Sequence, residues 1–162
     1  QKYPNSFIIW NILGVSLYEL GKIKGAIKYY KKVIKLNPSY VHAYINLALA
    51  FRTQGNLEKS IEFCEKAMFQ KPDDAKAYNI LGALLLEQGK FEKANLACKK
   101  AILLQPDYAD AHNNLGAILR DQGKFDQAIE SFEKAITIRE VTLVSSVFDV
   151  VFFADNAEFT DL

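Results

Sequence analysis

The sequence predicts an all-α fold: a right-handed solenoid of four antiparallel helix–turn–helix hairpins. Two markers with one period carry this prediction. Prolines recur every 34 residues, as Pro4, Pro38, Pro72 and Pro106. Glycines recur at the same interval, as Gly21, Gly55, Gly89 and Gly123. Two unrelated residue types with a common period indicate a repeated structural unit, and apolar residues at helical spacing fill the stretches between them.

Each repeat is predicted to hold two helices that are joined and ended by these markers. The first helix places apolar residues on one face, as in Ile9, Leu13 and Leu17. The glycine after it supplies the left-handed backbone of a helix end. The second helix has the same spacing, as in Phe125 and Ile129, and the proline beyond it prevents continuation.

These boundaries divide the chain into an opening segment, four repeats and a tail. The repeats span 7–40, 41–74, 75–108 and 109–142. Residues 1–6 match the end of a preceding repeat, so we expect a further repeat upstream in the natural protein. The tail, residues 143–162, leaves the 34-residue pattern.

The tail is apolar and acidic. Residues 141–162 hold four acidic residues and no Lys or Arg, whereas residues 1–140 hold 20 basic and 15 acidic residues. Residues 147–153 favour a strand by composition, but Val144, Val147, Phe148 and Val151 also lie at helical spacing. We expect a helix that packs on the exposed end of repeat four, as a cap or as a self-association segment.

The repeated positions resemble the tetratricopeptide repeat (TPR) family. Repeat one carries the pattern as Trp10-x2-Leu13-Gly14-x2-Leu17, followed by Ala26, Tyr30, Val33 and Pro38. The match covers residues 7–139, and the array is also similar to those of O-GlcNAc-transferase-like proteins and bacterial TPR proteins. The resemblance implies a non-enzymatic scaffold whose first helices line a concave, peptide-binding groove.

The resemblance places a set of polar side chains in that groove: Asn11, His42, Asn46, Arg52, Lys76, Asn79, Asn113, Asn114 and Arg120. An Asn amide both donates and accepts, so a row of them can pair with the backbone of an extended peptide. The alternative is that these are hydrated helix positions without a ligand. Of the family's carboxylate clamp, only Asn46 and Lys76 match, so we expect that clamp to be absent.

Lysines cluster on the second helix of repeat one, with no acidic residue between Glu19 and Glu58. An anionic partner or a membrane surface is one interpretation, and a hydrated outer face is the other. Pentatricopeptide RNA binding is disfavoured by the strict 34-residue period and by the net charge of +1.

Cys64 and Cys98 occupy the same repeat position, at a spacing that indicates reduced core thiols and not a disulfide. His42 and His112 lack neighbours at metal-ligand spacing, and no catalytic motif is present. We therefore expect no metal, no cofactor and no enzymatic activity.

The predicted function is a protein–protein interaction scaffold that binds a peptide or partner segment in the concave groove. Two alternatives stay open: the substrate-recruiting arm of a larger transferase, and a homo-oligomerising module that assembles end to end or through its tail. The expected partners are proteins or peptides, with no specific nucleic acid and no membrane span. The sequence shows no leader peptide, so we expect a cytoplasmic location.

Overall fold

The chain forms an all-α helical repeat in a computed structural model that describes the backbone of residues 6–157 and the side chains of residues 6–145. Within that range it contains eight helices and no strand: α1 Phe7–Glu19, α2 Ile23–Leu36, α3 Val41–Thr53, α4 Leu57–Gln70, α5 Ala75–Glu87, α6 Phe91–Leu104, α7 Ala109–Asp121 and α8 Phe125–Ala157. The predicted opening segment lies outside the described residues, apart from Ser6.

Local signals start and end these helices. The side chains of Ser6, Asn56 and Asp74 each accept a hydrogen bond from a backbone amide three residues on, so they cap α1, α4 and α5. The glycine after each first helix has a φ of 69–76°. That conformation strains residues with a Cβ, and it lets the chain reverse within three residues.

The two helices of a hairpin approach closely at one repeat position, held by Gly14, Ala48, Gly82 and Gly116. The residues opposite them are Tyr30, Cys64, Cys98 and Phe132. A Cβ on Gly14 would lie 2.5 Å from Cε1 of the Tyr30 ring. In repeat two a small cysteine leaves room for the Cβ of Ala48, whose carbonyl accepts a 2.6 Å hydrogen bond from the buried Ser60 hydroxyl.

Each hairpin packs its second helix against the first helix of the next repeat, so the apolar clusters cross repeat boundaries. First helices of neighbouring repeats also contact one another, whereas no second helix contacts another in the described part of the chain. The first helices therefore lie on the inner side of a curved array. They form its concave face, and the second helices form its outer side.

The tail begins as a continuation of the last helix. Residues 139–157 continue α8 directly, so that helix has 33 residues and a length of about 50 Å. The reason is local: Glu140 stands where the other repeats have a proline, so nothing ends the helix. Residues 140–145 are all exposed, and the role of the tail as an end cap or as a self-association segment stays a prediction. The side chains of the apolar run 147–153 lie outside the described residues.

Cys64 and Cys98 are free, fully buried thiols. Burial raises the pKa of each to about 12 from the ordinary 9.0, because a thiolate in an apolar core loses its hydration. A raised pKa in the folded state stabilises folding below pH 9. That stabilisation is lost between pH 9 and 12, at about 1.4 kcal/mol per pH unit for each thiol.

We expect neither thiol to react with a disulfide reagent at pH 8 while the protein is folded, because both are buried and protonated. Both should react on unfolding in denaturant. Spectrophotometric thiol titration measures this, with circular dichroism recording the helix content in parallel. Rapid modification of folded protein at pH 8 would contradict the inferred burial.

Candidate functional site

The candidate site is the concave face, which the first helices α1, α3, α5 and α7 provide. The structure places every groove residue predicted from the sequence on one of these four helices. They do not share one environment, however. Some are bonded to the neighbouring repeat, and others are exposed to solvent.

Two asparagine pairs join neighbouring first helices. The Asn46 amide nitrogen donates to the Asn11 oxygen at 3.2 Å, and the Asn114 amide donates to the Asn79 oxygen at 2.8 Å. Each pair links residues 35 apart, one more than the repeat length. The same offset in the middle of the array joins Ile45 to Ile80, both buried in one apolar cluster. Amide therefore faces amide, and isoleucine faces isoleucine, in alternation.

These bonds use only part of the hydrogen-bonding capacity of each amide. An asparagine side chain has two N–H donors and an oxygen that accepts twice. Asn11, Asn46 and Asn114 are partly exposed, so their remaining donors and acceptors stay accessible. Asn79 is 6% exposed, and its side chain also hydrogen-bonds Tyr108. That bond lowers the pKa of Tyr108, but burial acts more strongly and raises it overall.

A second row of contacts joins the carboxyl ends of the first helices, again across 35 residues. Arg52 Nε donates to Glu87 Oε1 at 2.7 Å, and the hydroxyls of Tyr18 and Thr53 share a 2.9 Å hydrogen bond. The Arg120 guanidinium instead pairs with its neighbour Asp121 at 2.8 Å. These pairs are exposed to water, so each stabilises the array little, but together they neutralise most of the charge on this rim.

Four predicted groove residues present exposed side chains: His42, Lys76, Asn113 and Arg120. Lys76 has no ion-pair partner among the described side chains. His112, by contrast, is 5% exposed, and its Nε2 lies 2.9 Å from the Pro106 carbonyl oxygen. The hydroxyl of Tyr44, two repeats earlier, makes the equivalent 2.8 Å bond to Pro38.

We expect the Asn79→Ala substitution to lower the free energy of unfolding by about 1–2 kcal/mol, because it leaves the partly buried Asn114 amide without its acceptor. Asn113→Ala is the matched control at the same repeat position. Its side chain is exposed, so its effect should stay within about 0.5 kcal/mol. Urea denaturation followed by circular dichroism compares them. Equal effects would contradict a stabilising role for the amide pair.

Glu87, Tyr18 and Thr53 belong to the concave rim but were not among the residues predicted from the sequence. Complementary side chains 35 residues apart were the available signal, since Arg52 with Glu87 follows the offset of the asparagine pairs. Aligning the repeats by their 34-residue period pairs equivalent positions, whereas the contacts join residues that are 35 apart. The alignment alone therefore does not show which side chains meet.

The lysine cluster of repeat one lies on α2, on the outer side of the array. Lys28, Lys31 and Lys35 surround a depression that Trp10 and Tyr29 also line. The two aromatic rings are stacked, with centroids 5.3 Å apart, and the Lys32 ammonium lies 3.4 Å from the Trp10 ring centroid. Lys32 therefore packs by a cation–π contact and is not simply a hydrated charge.

The described residues contain neither a membrane-spanning helix nor a cluster of metal ligands. No helix there is both long and apolar enough to cross a lipid bilayer. Likewise, that part of the chain contains no group of three or more His, Cys, Asp or Glu side chains arranged to hold a metal ion.

Comparison with known families matches three repeat models along the chain. Models described as tetratricopeptide repeats match residues 12–75 and 109–140, and a TPR repeat model matches residues 82–120. A curated relative, a peroxisomal targeting signal receptor of Kluyveromyces lactis, is 43% identical over 47 residues. That segment is 29% of this chain and 8% of the receptor.

Solved structures resemble the whole array. A crystal structure of MamA protein is 33% identical and has a TM-score of 0.69, covering 83% of this chain and 73% of its own. A thermophilic TPR protein of Thermus thermophilus is 25% identical with a TM-score of 0.76, covering 83% and 75% respectively.

Proposed function

Because the chain belongs to the tetratricopeptide repeat family and has the fold of a protein–protein interaction scaffold, we propose that it binds an extended partner segment along its concave face. The observation that carries this proposal is the pair of asparagine contacts on that face. Each pair is already oriented by a repeat-to-repeat hydrogen bond, and it keeps amide donors and acceptors to spare. Side chains held in place in this way bind a guest backbone at a small entropic cost.

The charges of the face favour a partner segment with little net charge. The Arg52 and Arg120 guanidiniums are compensated by Glu87 and Asp121, and the exposed Asp110 by Arg139. Lys76 is the exception, near the middle of the face. We therefore propose main-chain recognition by the amides, together with one acidic side chain or terminal carboxylate that meets Lys76.

The named relative is consistent with this mode of binding. A peroxisomal targeting signal receptor is, by its name, a receptor for a targeting signal, and this chain shares 43% identity with 47 of its residues. The similarity supports recognition of a short peptide signal. It does not extend to a particular signal, since the chain spans 8% of that receptor.

Selection of binders from a random-peptide display library tests the proposal without a known partner. Selected peptides, titrated into isotopically labelled protein, should shift the amide resonances of α3, α5 and α7 and the side-chain resonances of Asn46 and Asn113. Shifts confined to the second helices would place the binding surface on the outer side and defeat the proposal.

Variants then assign the contacts. Lys76→Glu should lower the affinity for peptides that contain an acidic residue by about tenfold or more. Lys100→Glu, an equal charge change on α6, should leave this affinity unchanged. Both lysines are exposed, so neither change should alter folding. Equal loss in the two variants would indicate a non-specific effect of net charge.

A further inference from the structure

At the carboxyl-terminal end of the array, one face of α8 is apolar and uncovered in the described structure. Phe125, Ile129 and Ile136 are 64%, 55% and 56% exposed, and we call these three residues the α8 face. The equivalent residues of repeats one and two are not exposed in this way. Ile27 is 9% exposed, and Ile61 packs into the cluster formed with α5. The difference is that a following first helix covers the earlier repeats.

The opposite end of the array exposes the complementary surface. On α1, Ile9, Ile12 and Leu13 are 36%, 58% and 40% exposed, and they form what we call the α1 face. At the position of Leu13, Leu47 in repeat two is 0% exposed and Leu115 in repeat four is 9% exposed. A preceding second helix covers those later leucines, and none covers Leu13 in the described chain.

In the part of the chain that the structure describes, no helix covers the α8 face. In the 34-residue frame, a fifth first helix would occupy residues 143–155 and fold back on α8. Those residues instead continue α8 without a break to Ala157. No first helix of the described chain therefore covers the α8 face as α3 and α5 cover the second helices before them.

The surface that fits the α8 face best is one already used inside the molecule. Three times along the chain, a second helix packs on a following first helix: α2 on α3, α4 on α5 and α6 on α7. The position of Ile129 is held by isoleucine in α2 and α4, as Ile27 and Ile61, and by Asn95 in α6. Charge adds direction to this fit. Repeat one, residues 7–40, carries six basic residues and one acidic residue, whereas residues 109–162 carry four basic and ten acidic residues. The two ends therefore attract each other across molecules.

We propose that the α8 face of one molecule binds the α1 face of a second copy, which continues the array head to tail. The contact is heterologous, so each end stays available for a further copy, and chains of molecules form as concentration rises. This inference is distinct from peptide binding on the concave face, because none of the predicted groove residues belongs to the α8 face or the α1 face, and Asn113 alone borders the junction.

The junction differs from the internal boundaries at two positions. Internal first helices hold alanine where α1 has Ile9, as at Ala43, Ala77 and Ala111. By the 35-residue offset, Asn113 would face Ile12 of the second copy, so an amide would meet an isoleucine. Changing both, as Ile9→Ala with Ile12→Asn, gives α1 the residues that α3 has at Ala43 and Asn46. This double variant should associate more tightly than the unaltered chain.

Sedimentation velocity over a micromolar-to-millimolar series, at low and high salt, measures the association of the whole chain. We expect the average mass to rise with concentration, and to rise more at low salt because salt screens the attraction between the ends. Ile129→Lys on the α8 face and Leu13→Lys on the α1 face should each lower the association constant by tenfold or more. Leu103→Lys, 73% exposed on α6 and outside both faces, is the matched control and should not change it.

Mixing the two single variants distinguishes a head-to-tail contact from other modes of self-association. Ile129→Lys keeps a working α1 face and Leu13→Lys keeps a working α8 face, so an equal mixture should form one-to-one dimers while each alone stays monomeric. Circular dichroism checks that both variants fold, and Ile9→Lys replaces Leu13→Lys if that variant does not.

Several results would overturn the proposal. These are a monomeric unaltered chain at every concentration, a Leu13→Lys variant that still associates, or a mixture that stays monomeric. Weaker association of the Ile9→Ala, Ile12→Asn double variant would do so as well, since it would show that exposed apolar area, and not the repeat register, drives the contact.

Discussion

Replacing Leu47 by alanine is expected to lower the free energy of unfolding by about 3–4 kcal/mol, the loss typical of a fully buried leucine. Leu47 is 0% exposed and belongs to the cluster in which α2 packs on α3. The substitution therefore weakens both the second hairpin and its boundary with the first. Urea denaturation at low protein concentration, followed by circular dichroism, measures the change.

Leu13→Ala is the matched control for this prediction. It removes the same atoms at the same repeat position, but Leu13 is 40% exposed because the described chain places no hairpin in front of it. Its expected cost is about 1–2 kcal/mol. Equal costs for the two substitutions would show that the contact between neighbouring repeats contributes little, contrary to the stacked arrangement.

Gly14→Ala is the second change for which we expect a large effect, a loss of about 2–3 kcal/mol. In the interior of a helix this substitution ordinarily stabilises by up to about 1 kcal/mol, because alanine has the higher helix propensity. Here the added Cβ would overlap the Tyr30 ring, which is 2% exposed and has no space to move. Steric overlap therefore reverses the usual sign.

The same change at Gly82 is its comparison, because a cysteine and not an aromatic ring lies opposite. Repeat two already accommodates alanine in that setting, with Ala48 and Cys64 both at 0% exposure. A Cβ on Gly82 would meet the Cys98 sulfur as closely as a Cβ on Gly14 meets the Tyr30 ring, but one χ1 rotation can move a thiol aside, whereas a buried ring cannot move in this way. We therefore expect Gly82→Ala to cost less than Gly14→Ala, and Gly14→Ala to be partly rescued by Tyr30→Cys in a double-mutant cycle. A neutral Gly14→Ala would contradict the tight helix contact of repeat one. Thermal and urea unfolding provide the four free energies.

The hairpins could be predicted from the sequence because their signals are local. Gly21 and Pro38 each act on the backbone within a few residues, so helix ends follow from residue type and spacing. The direction that the tail takes after repeat four depends on tertiary packing and not on local signals. Helical spacing predicted its helix, but whether that helix folds back depends on packing energies that no local marker reports.

The concave residues were predicted by repeat position, and the structure adds how they are connected. That Asn46 bonds Asn11, which lies 35 residues earlier and not 34, follows from the offset of one residue between neighbouring first helices. This offset is a property of how hairpins tilt on one another. Burial of Asn79 has the same origin, so an amide that resembles a ligand contact in the sequence contributes mainly to the boundary between repeats.

The alternation of amide and isoleucine pairs has a consequence for altering the length of this array. Excising residues 41–74 would set Asn11 against Ile80, leaving a polar group facing a hydrocarbon. Excising residues 41–108 would set Asn11 against Asn114, and a bonded pair could form again. The interchangeable module of this protein is therefore two hairpins, so shortened or lengthened forms should tolerate steps of 68 residues better than steps of 34.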